Sequence, residues 1–284
     1  MIINYIQEII QAEKLKGSNE LYIRSAIKEY LQILVLQFIY TNSDYKSSLI
    51  FTGGTCLRHF YGLERLSEDL DFDKVNYLNV EKLASDIQEY FVSSLQYKDL
   101  QISIKQQGKQ ILLKLPILRN LGLATESDSD LLYVKSDISE ILGKSYKTEK
   151  TAKSAFGYNF VALHYDLPSL FAGKITAILT RNLLTGRENS QTIKGRDFYD
   201  LLWYLKKGVR VNLQLVREKL NESELDIASL NLRISEKVNL ACTKNKSNFK
   251  TDLIPFITNP GFVTDYVENF VNEMGRYELV EESR

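Results

Sequence analysis

Residues 51–73 read FTGGTCLRHFYGLERLSEDLDFD, and they restrict the folds open to this chain more than any other stretch does. Two adjacent glycines, Gly53 and Gly54, end a short apolar run and precede a helix-like run that stops near Gly62. Glu68, Asp69 and Asp71 then fall in a segment that otherwise reads as a buried strand. Side chains alternate across a strand, so Asp69 and Asp71 share one face while Leu70 and Phe72 share the other. The apolar face suits burial against a helix. The acidic face presents two carboxylates about 7 Å apart, which repel each other unless a cation lies between them. Oxygen-only donors select a hard cation, Mg²⁺ or Mn²⁺, and Mg²⁺ commonly takes one or two carboxylates plus substrate phosphates. By itself, Asp-x-Asp is ordinarily an amphipathic edge strand with its acids in water.

The glycine pair shifts that balance. Gly53 and Gly54 let the backbone approach a ligand closely. Thr55 begins a helix, whose free N–H groups attract anions, and its hydroxyl offers a further hydrogen bond to phosphate. The plainer reading is a tight turn with Thr55 as a helix cap. A glycine turn followed after one short helix by an Asp-x-Asp strand sets a phosphate cradle beside a metal site, as a nucleoside triphosphate requires. A second strand, LLYVKSDI, places Asp137 on one face with Leu131, Tyr133 and Lys135. Asp137 is thus a third metal ligand, a base that activates an attacking hydroxyl, or a solvated acid paired with Lys135.

Downstream, LFAGKITAILTR reads as a helix with Lys174 and Arg181 on one stripe, suited to triphosphate oxygens or to reaching solvent. On the helix RDFYDLLWYLKK, Asp197 and Asp200 lie three residues apart. Either acid orients Lys174 or contacts the nucleotide, or both pair with Lys194 or Arg196 at the surface.

Apolar periodicity predicts helices over residues 2–15 and 20–40, strands at LIFTG, LSEDLDFD, LLYVKSDIS and VALHY, a helix at VEKLASDIQEYFVSSL and a strand pair over 100–117. GKSYKTEKTAKSAFGYNF is basic and weakly patterned, and TGRENSQTIKG reads as a polar loop. Strands fall between about 49 and 165 and the remainder is helical, which makes an α+β chain. The expected division is 1–166, a mixed-sheet module with N-terminal helices, and 167–284, a helical domain that completes the active site.

These motifs together resemble a known family. GGTCLRHFYGLERLSEDLDF resembles the signature segment of the AbiEii/AbiGii toxins, members of the polymerase-beta-like nucleotidyltransferase superfamily. FAGKITAILTR and KGRDFYDLLWYL resemble its two later motifs, in the same order. The resemblance implies a nucleotidyltransferase-fold mixed sheet with flanking helices and a helical C-terminal region. It also implies the toxic half of a type IV toxin–antitoxin or phage-defence pair, with a cognate antitoxin encoded nearby. Related toxins transfer nucleotides to the 3′ end of tRNA. Carried over, Asp69 and Asp71 hold the metal, with Asp137 as a third ligand. Gly53, Gly54, Thr55 and Arg181 bind the nucleotide, Lys174 the triphosphate, and Asp197 is the late catalytic acid. Transfer to a protein hydroxyl and a non-catalytic nucleotide-binding role are the alternatives.

Bulk properties fit this picture without deciding it. Net charge is zero, yet residues 64–99 hold nine acids and four bases, while 144–210 hold twelve bases and five acids. The basic interval, with Tyr146, Phe156 and Tyr158 interleaved, suits tracking a phosphate backbone and stacking an unpaired 3′ end. Two distant cysteines argue against a disulfide scaffold and fit a reducing cytosol. No signal-peptide pattern or 18-residue apolar run is present, so a cytoplasmic protein without a membrane span is expected.

Overall fold

In the computed structural model, residues 2–181, 183–185 and 190–282 are described. They form two compact units, Met1–Ile141 with Thr148–His164, and Leu142–Lys147 with Tyr165–Arg284.

The first unit opens with α1 (Ile2–Leu15) and α2 (Glu20–Thr41). Asn19 caps α2 by accepting from the Tyr22 N–H, and apolar residues recurring every three to four positions bury Ile23, Ile27, Leu31 and Leu34. Then follow β1 (Leu49–Thr52), the short α3 (Gly53–Cys56), β2 (Leu70–Lys74), α4 (Val80–Glu89), β3 (Gln101–Lys105), β4 (Gln110–Pro116), β5 (Leu131–Glu140), β6 (Thr148–Ala155) and β7 (Tyr158–Tyr165). A π-helical turn over Leu57–Tyr61 extends α3 until Gly62 ends it in the left-handed region. The seven strands form one mixed sheet in the order β3-β4-β5-β2-β1-β7-β6. Leu49, Phe51, Leu70, Phe72, Ile111, Leu113 and Val134 bury one side of it. This is the α+β mixed sheet with flanking helices expected from the sequence.

Two expectations change. The weakly patterned basic segment is the edge hairpin β6–β7, turned through Phe156 and Gly157, both at positive φ. β6 buries none of its residues, so it carries little of the apolar alternation that marks a strand in sequence. Strands are also not confined to 49–165, because β8 (Leu183–Thr185) pairs antiparallel with β9 (Ser190–Thr192). Residues 186–189 of the expected polar loop lie outside the described residues.

The second unit is built from α5 (Leu167–Thr180), α6 (Gly195–Lys206), α7 (Leu213–Leu220), α8 (Ile227–Thr243), α9 (Lys246–Leu253) and α10 (Pro260–Met274). Residues 142–147 belong to it, ahead of the boundary near 166 expected from sequence. Glu218 on α7 accepts from the backbone N–H groups of Lys144 and Ser145 at 2.6 and 3.0 Å, and Asn212 Nδ2 donates to the Ser145 carbonyl at 2.6 Å. The Ser145 hydroxyl and these N–H groups hold the Glu218 carboxyl down at about 2. No described helix is long and apolar enough to cross a membrane.

Candidate active site

The glycine turn and the acidic strand meet because β1 and β2 are antiparallel neighbours, with Thr52 opposite Asp71. Gly53 has φ +76°, and a Cβ there would lie 2.8 Å from Asp71 Cγ. Glycine is required twice over, for the backbone conformation and for the carboxylate beside it. Gly53→Ala should cost about 1–2 kcal/mol for the left-handed backbone alone. It should also push Asp71 aside and lower activity, measurable as a shifted unfolding midpoint together with a slower transfer rate. A Cβ on Gly54 would meet Arg65 Nη2 at 2.8 Å and Ser67 Oγ at 3.0 Å, the mobile ends of side chains, so Gly54→Ala should be milder.

The connection from α3 to β2 is held from several sides. Gln32, buried on α2, donates to the Ser67 and Glu68 carbonyls at 3.2 and 2.8 Å. Arg58 Nη1 donates to the Leu63 and Glu64 carbonyls at 3.1 and 3.0 Å, while Lys28 pairs with Glu68 at 3.3 Å. Of the three acids, Glu68 is therefore the structural one. Thr55 is fully buried, and its hydroxyl donates to the Asp69 carbonyl. The side chain that the sequence assigns to phosphate thus ties the helix to the acidic segment.

Asp71 lies within β2 and Asp69 immediately before it. In the parallel pairing of β2 with β5, Asp71 sits opposite Asp137, which places the second-strand acid on the same face. Asp137 Oδ1 accepts from Gln110 Nε2 at 2.7 Å, and Lys135 Nζ lies 3.8 Å from Asp69 Oδ1. Among the described residues, no three His, Cys, Asp or Glu side chains converge as a ready-made metal site. The donor chemistry still fits a hard cation, with Asp69 and Asp71 supplying oxygen only and substrate phosphates completing the shell. Burial, then the Asp71 charge, pushes the Cys56 thiol well above the ordinary range, which disfavours the thiolate.

In the second unit, α5 and α6 bring four charges together. Lys174 Nζ lies 2.8 Å from both Asp197 Oδ1 and Asp200 Oδ2, and Arg181 pairs with the other oxygen of Asp197. Asp200 is fully buried and Asp197 nearly so. Arg196 pairs with Asp252 at 3.3 Å and lies over the Phe256 ring. Burial acts to raise the Asp197 carboxyl, but Lys174 and Arg181 outweigh it and hold the group at about 2, against an ordinary 3.8. A depressed folded-state value stabilises the protein above about pH 4 and loses that contribution as pH falls towards 2. Urea midpoints followed by fluorescence of Trp203 on α6 should drop steeply over that interval, and Asp197→Asn should flatten the drop.

Arg65 and Ser67, both buried at the Gly54 turn, were not singled out in the sequence. The local signal is weak: Arg65 stands beside Glu64 between Leu63 and Leu66, just after Gly62 ends the short helix. The aromatics of the basic interval are spent on packing. Phe156 lies edge-on to Tyr5 and Tyr30 at 6.0 and 5.4 Å, and Tyr146 edge-on to Tyr165 at 5.2 Å.

The family model for nucleotidyl transferase AbiEii toxins of type IV toxin–antitoxin systems matches residues 37–263, most of the chain. The chain belongs to the AbiEii family. As an AbiEii protein it is a nucleotidyltransferase toxin, and membership implies a nucleoside triphosphate substrate, a divalent metal and a cognate antitoxin. The fold is similar to that of MenT4, a nucleotidyltransferase toxin from Mycobacterium tuberculosis H37Rv. That likeness has a TM-score of 0.53 and 14% identity, and it covers 96% of this chain and 90% of that one. JHP933 from Helicobacter pylori also aligns, with a TM-score of 0.44 and 15% identity over 89% of this chain and 94% of that one. No curated protein matches the sequence.

Proposed function

We propose that this AbiEii toxin transfers a nucleoside monophosphate from a nucleoside triphosphate to the 3′ end of an RNA, tRNA first among candidates, and so arrests translation and growth. The observation that carries the reading is the register of Asp71 beside Gly53 and opposite Asp137, which gathers a close-approach turn and an acidic face on one sheet. In the transfer, the acceptor hydroxyl attacks the α-phosphorus, the bond to the β-phosphate breaks, and pyrophosphate leaves. The proton of the hydroxyl passes to the carboxylate face.

Asp69 and Asp71 are the residues that would hold Mg²⁺ or Mn²⁺, with Asp137 beside them. When bound, such an ion polarises the phosphoryl oxygens and offsets charge on the leaving group. The Gly53–Gly54 turn admits the triphosphate close to the backbone. Lys174, held by Asp197 and Asp200, and Arg181, held by Asp197, are assigned to the triphosphate and to charge developing on pyrophosphate. Asp197 is then the acid that positions both cations. A nucleoside triphosphate substrate and an RNA acceptor place the toxin's action in the cytoplasm, and a defensive role against phage fits a growth-arresting transferase.

The test is incubation of the protein with total tRNA, Mg²⁺ and each labelled nucleoside triphosphate separately, followed by nuclease or protease digestion. Label lost on nuclease treatment supports the reading. Label lost only to protease assigns a protein hydroxyl as acceptor, and binding of nucleotide without any transfer assigns a non-catalytic role.

A further inference from the structure

The sheet face that carries the acids continues beyond them. Strand registers fix three rows across it, the first running Lys105, Gln110, Asp137, Asp71. The second runs Ser103, Leu112, Lys135, and the third Gln101, Lys114, Tyr133. On β5, Tyr133, Lys135 and Asp137 alternate with buried Leu132, Val134 and Ser136, and on β4 Lys114 lies between buried Leu113 and Leu115. These side chains therefore point away from the core. Lys105 is exposed, and Lys114 and Tyr133 are half-buried. With strands about 4.8 Å apart and residues about 3.3 Å apart along them, Lys105 lies roughly 14 Å from Asp71, and Tyr133 roughly 13 Å from Asp137.

Among the described residues, the side chains of Lys105, Lys114 and Tyr133 enter no ion pair, hydrogen bond or ring contact. In the basic interval several of the cations and rings are engaged, though the Lys144 and Lys150 side chains are not. Lys153 donates to the His59 carbonyl at 2.9 Å, Lys174 and Arg181 are ion-paired, and Phe156 and Tyr146 are packed against other rings. The uncommitted Lys105, Lys114 and Tyr133 lie on the same face as the carboxylates.

We infer that this open sheet face is the acceptor platform, on which an unpaired RNA 3′ end lies with a base stacked on Tyr133 and phosphates at Lys114 and Lys105. The argument is one of charge complementarity. Two unneutralised lysines lie on one side of an aromatic ring on the same sheet face, Lys114 directly opposite it, a combination that holds a single strand without reading its sequence. The strand's terminal hydroxyl then comes to the row of Asp71 and Asp137. The inference rests on the transferase reading for its direction, but its binding step is measured without nucleotide.

The experiment is fluorescence anisotropy of 5′-labelled total tRNA with the full chain, in EDTA and without nucleotide, over a range of salt. Lys105→Gln/Lys114→Gln should lower the slope of log affinity against log salt by about 1.4, since each single-strand phosphate contact contributes about 0.7. Tyr133→Ala should weaken binding about fivefold to a hundredfold, Tyr133→Phe should retain it, and Lys46→Gln in an exposed loop should change neither slope nor affinity. Unchanged slope and affinity in the double variant overturn the inference. So does transfer of the slope loss to Lys144→Gln/Lys150→Gln, or failure of the wild-type chain to bind tRNA. The same variants assayed for labelled-nucleotide transfer keep the two readings apart. Face-dependent RNA binding with no transfer leaves the platform standing and removes the transferase reading. Transfer to RNA at wild-type rates by the double variant does the reverse.

Discussion

Asp71→Asn should abolish nucleotidyl transfer and leave the fold intact. Asp71 sits mid-sheet, opposite Thr52 on one side and Asp137 on the other, and its carboxyl lies against the Gly53 Cα. The amide has nearly the same volume, so the packing at Gly53 is kept. What goes is one negative charge at the place proposed for the phosphate and the cation. Loss of a single electrostatic contact of this kind costs about 10² to 10³ in rate, and a metal-holding carboxylate stands at the upper end or beyond. The check is label transfer to RNA beside circular dichroism and thermal unfolding of the same preparation. A folded variant that still transfers would remove Asp71 from the mechanism.

Lys174→Met should be the most destabilising single change in the helical unit. Its ammonium lies 2.8 Å from both Asp197 and Asp200, with side-chain exposures of 12% for Lys174, 7% for Asp197 and 0% for Asp200. Methionine fills the volume but leaves Asp200 charged and buried beside Asp197. Removing one member of a buried ion pair typically costs about 3–5 kcal/mol, because a buried charge loses the partner that compensated it. Trp203, the one tryptophan, lies on α6 with both acids and so reports unfolding of this unit. The urea midpoint read from its fluorescence should fall accordingly. Adding Asp200→Leu should recover part of the stability and none of the activity, since the cation assigned to the triphosphate is still missing. An unchanged midpoint in the single variant would mean that Lys174 does not compensate these acids.

Much of this site is local and therefore legible in sequence. Alternation placed Asp71 and Asp137 each on the outer face of its own strand, and the glycine pair marked the turn. Helical spacing grouped Lys174 with Arg181 and Asp197 with Asp200. The edge hairpin was not legible, because a solvated strand such as Thr148–Ala155 has no buried side to impose a period. Arg65 was not legible because a cation next to Glu64 looks like a surface residue until the fold closes round it. Phe156 and Tyr146 looked available for stacking because nothing nearby in the chain reveals the rings they meet.

The sequence by itself determined the α+β class, the motifs and their order, since alternation, helical period and glycine punctuation act over one to four residues. Only the tertiary structure decided that Asp71 stands opposite Asp137, that the Thr55 hydroxyl is taken by the Asp69 carbonyl, and that Lys174 is shared by two buried acids. Those facts depend on strand register and helix packing, which join residues far apart in the chain. They are set by the summed burial of many side chains and not by any residue's own preference.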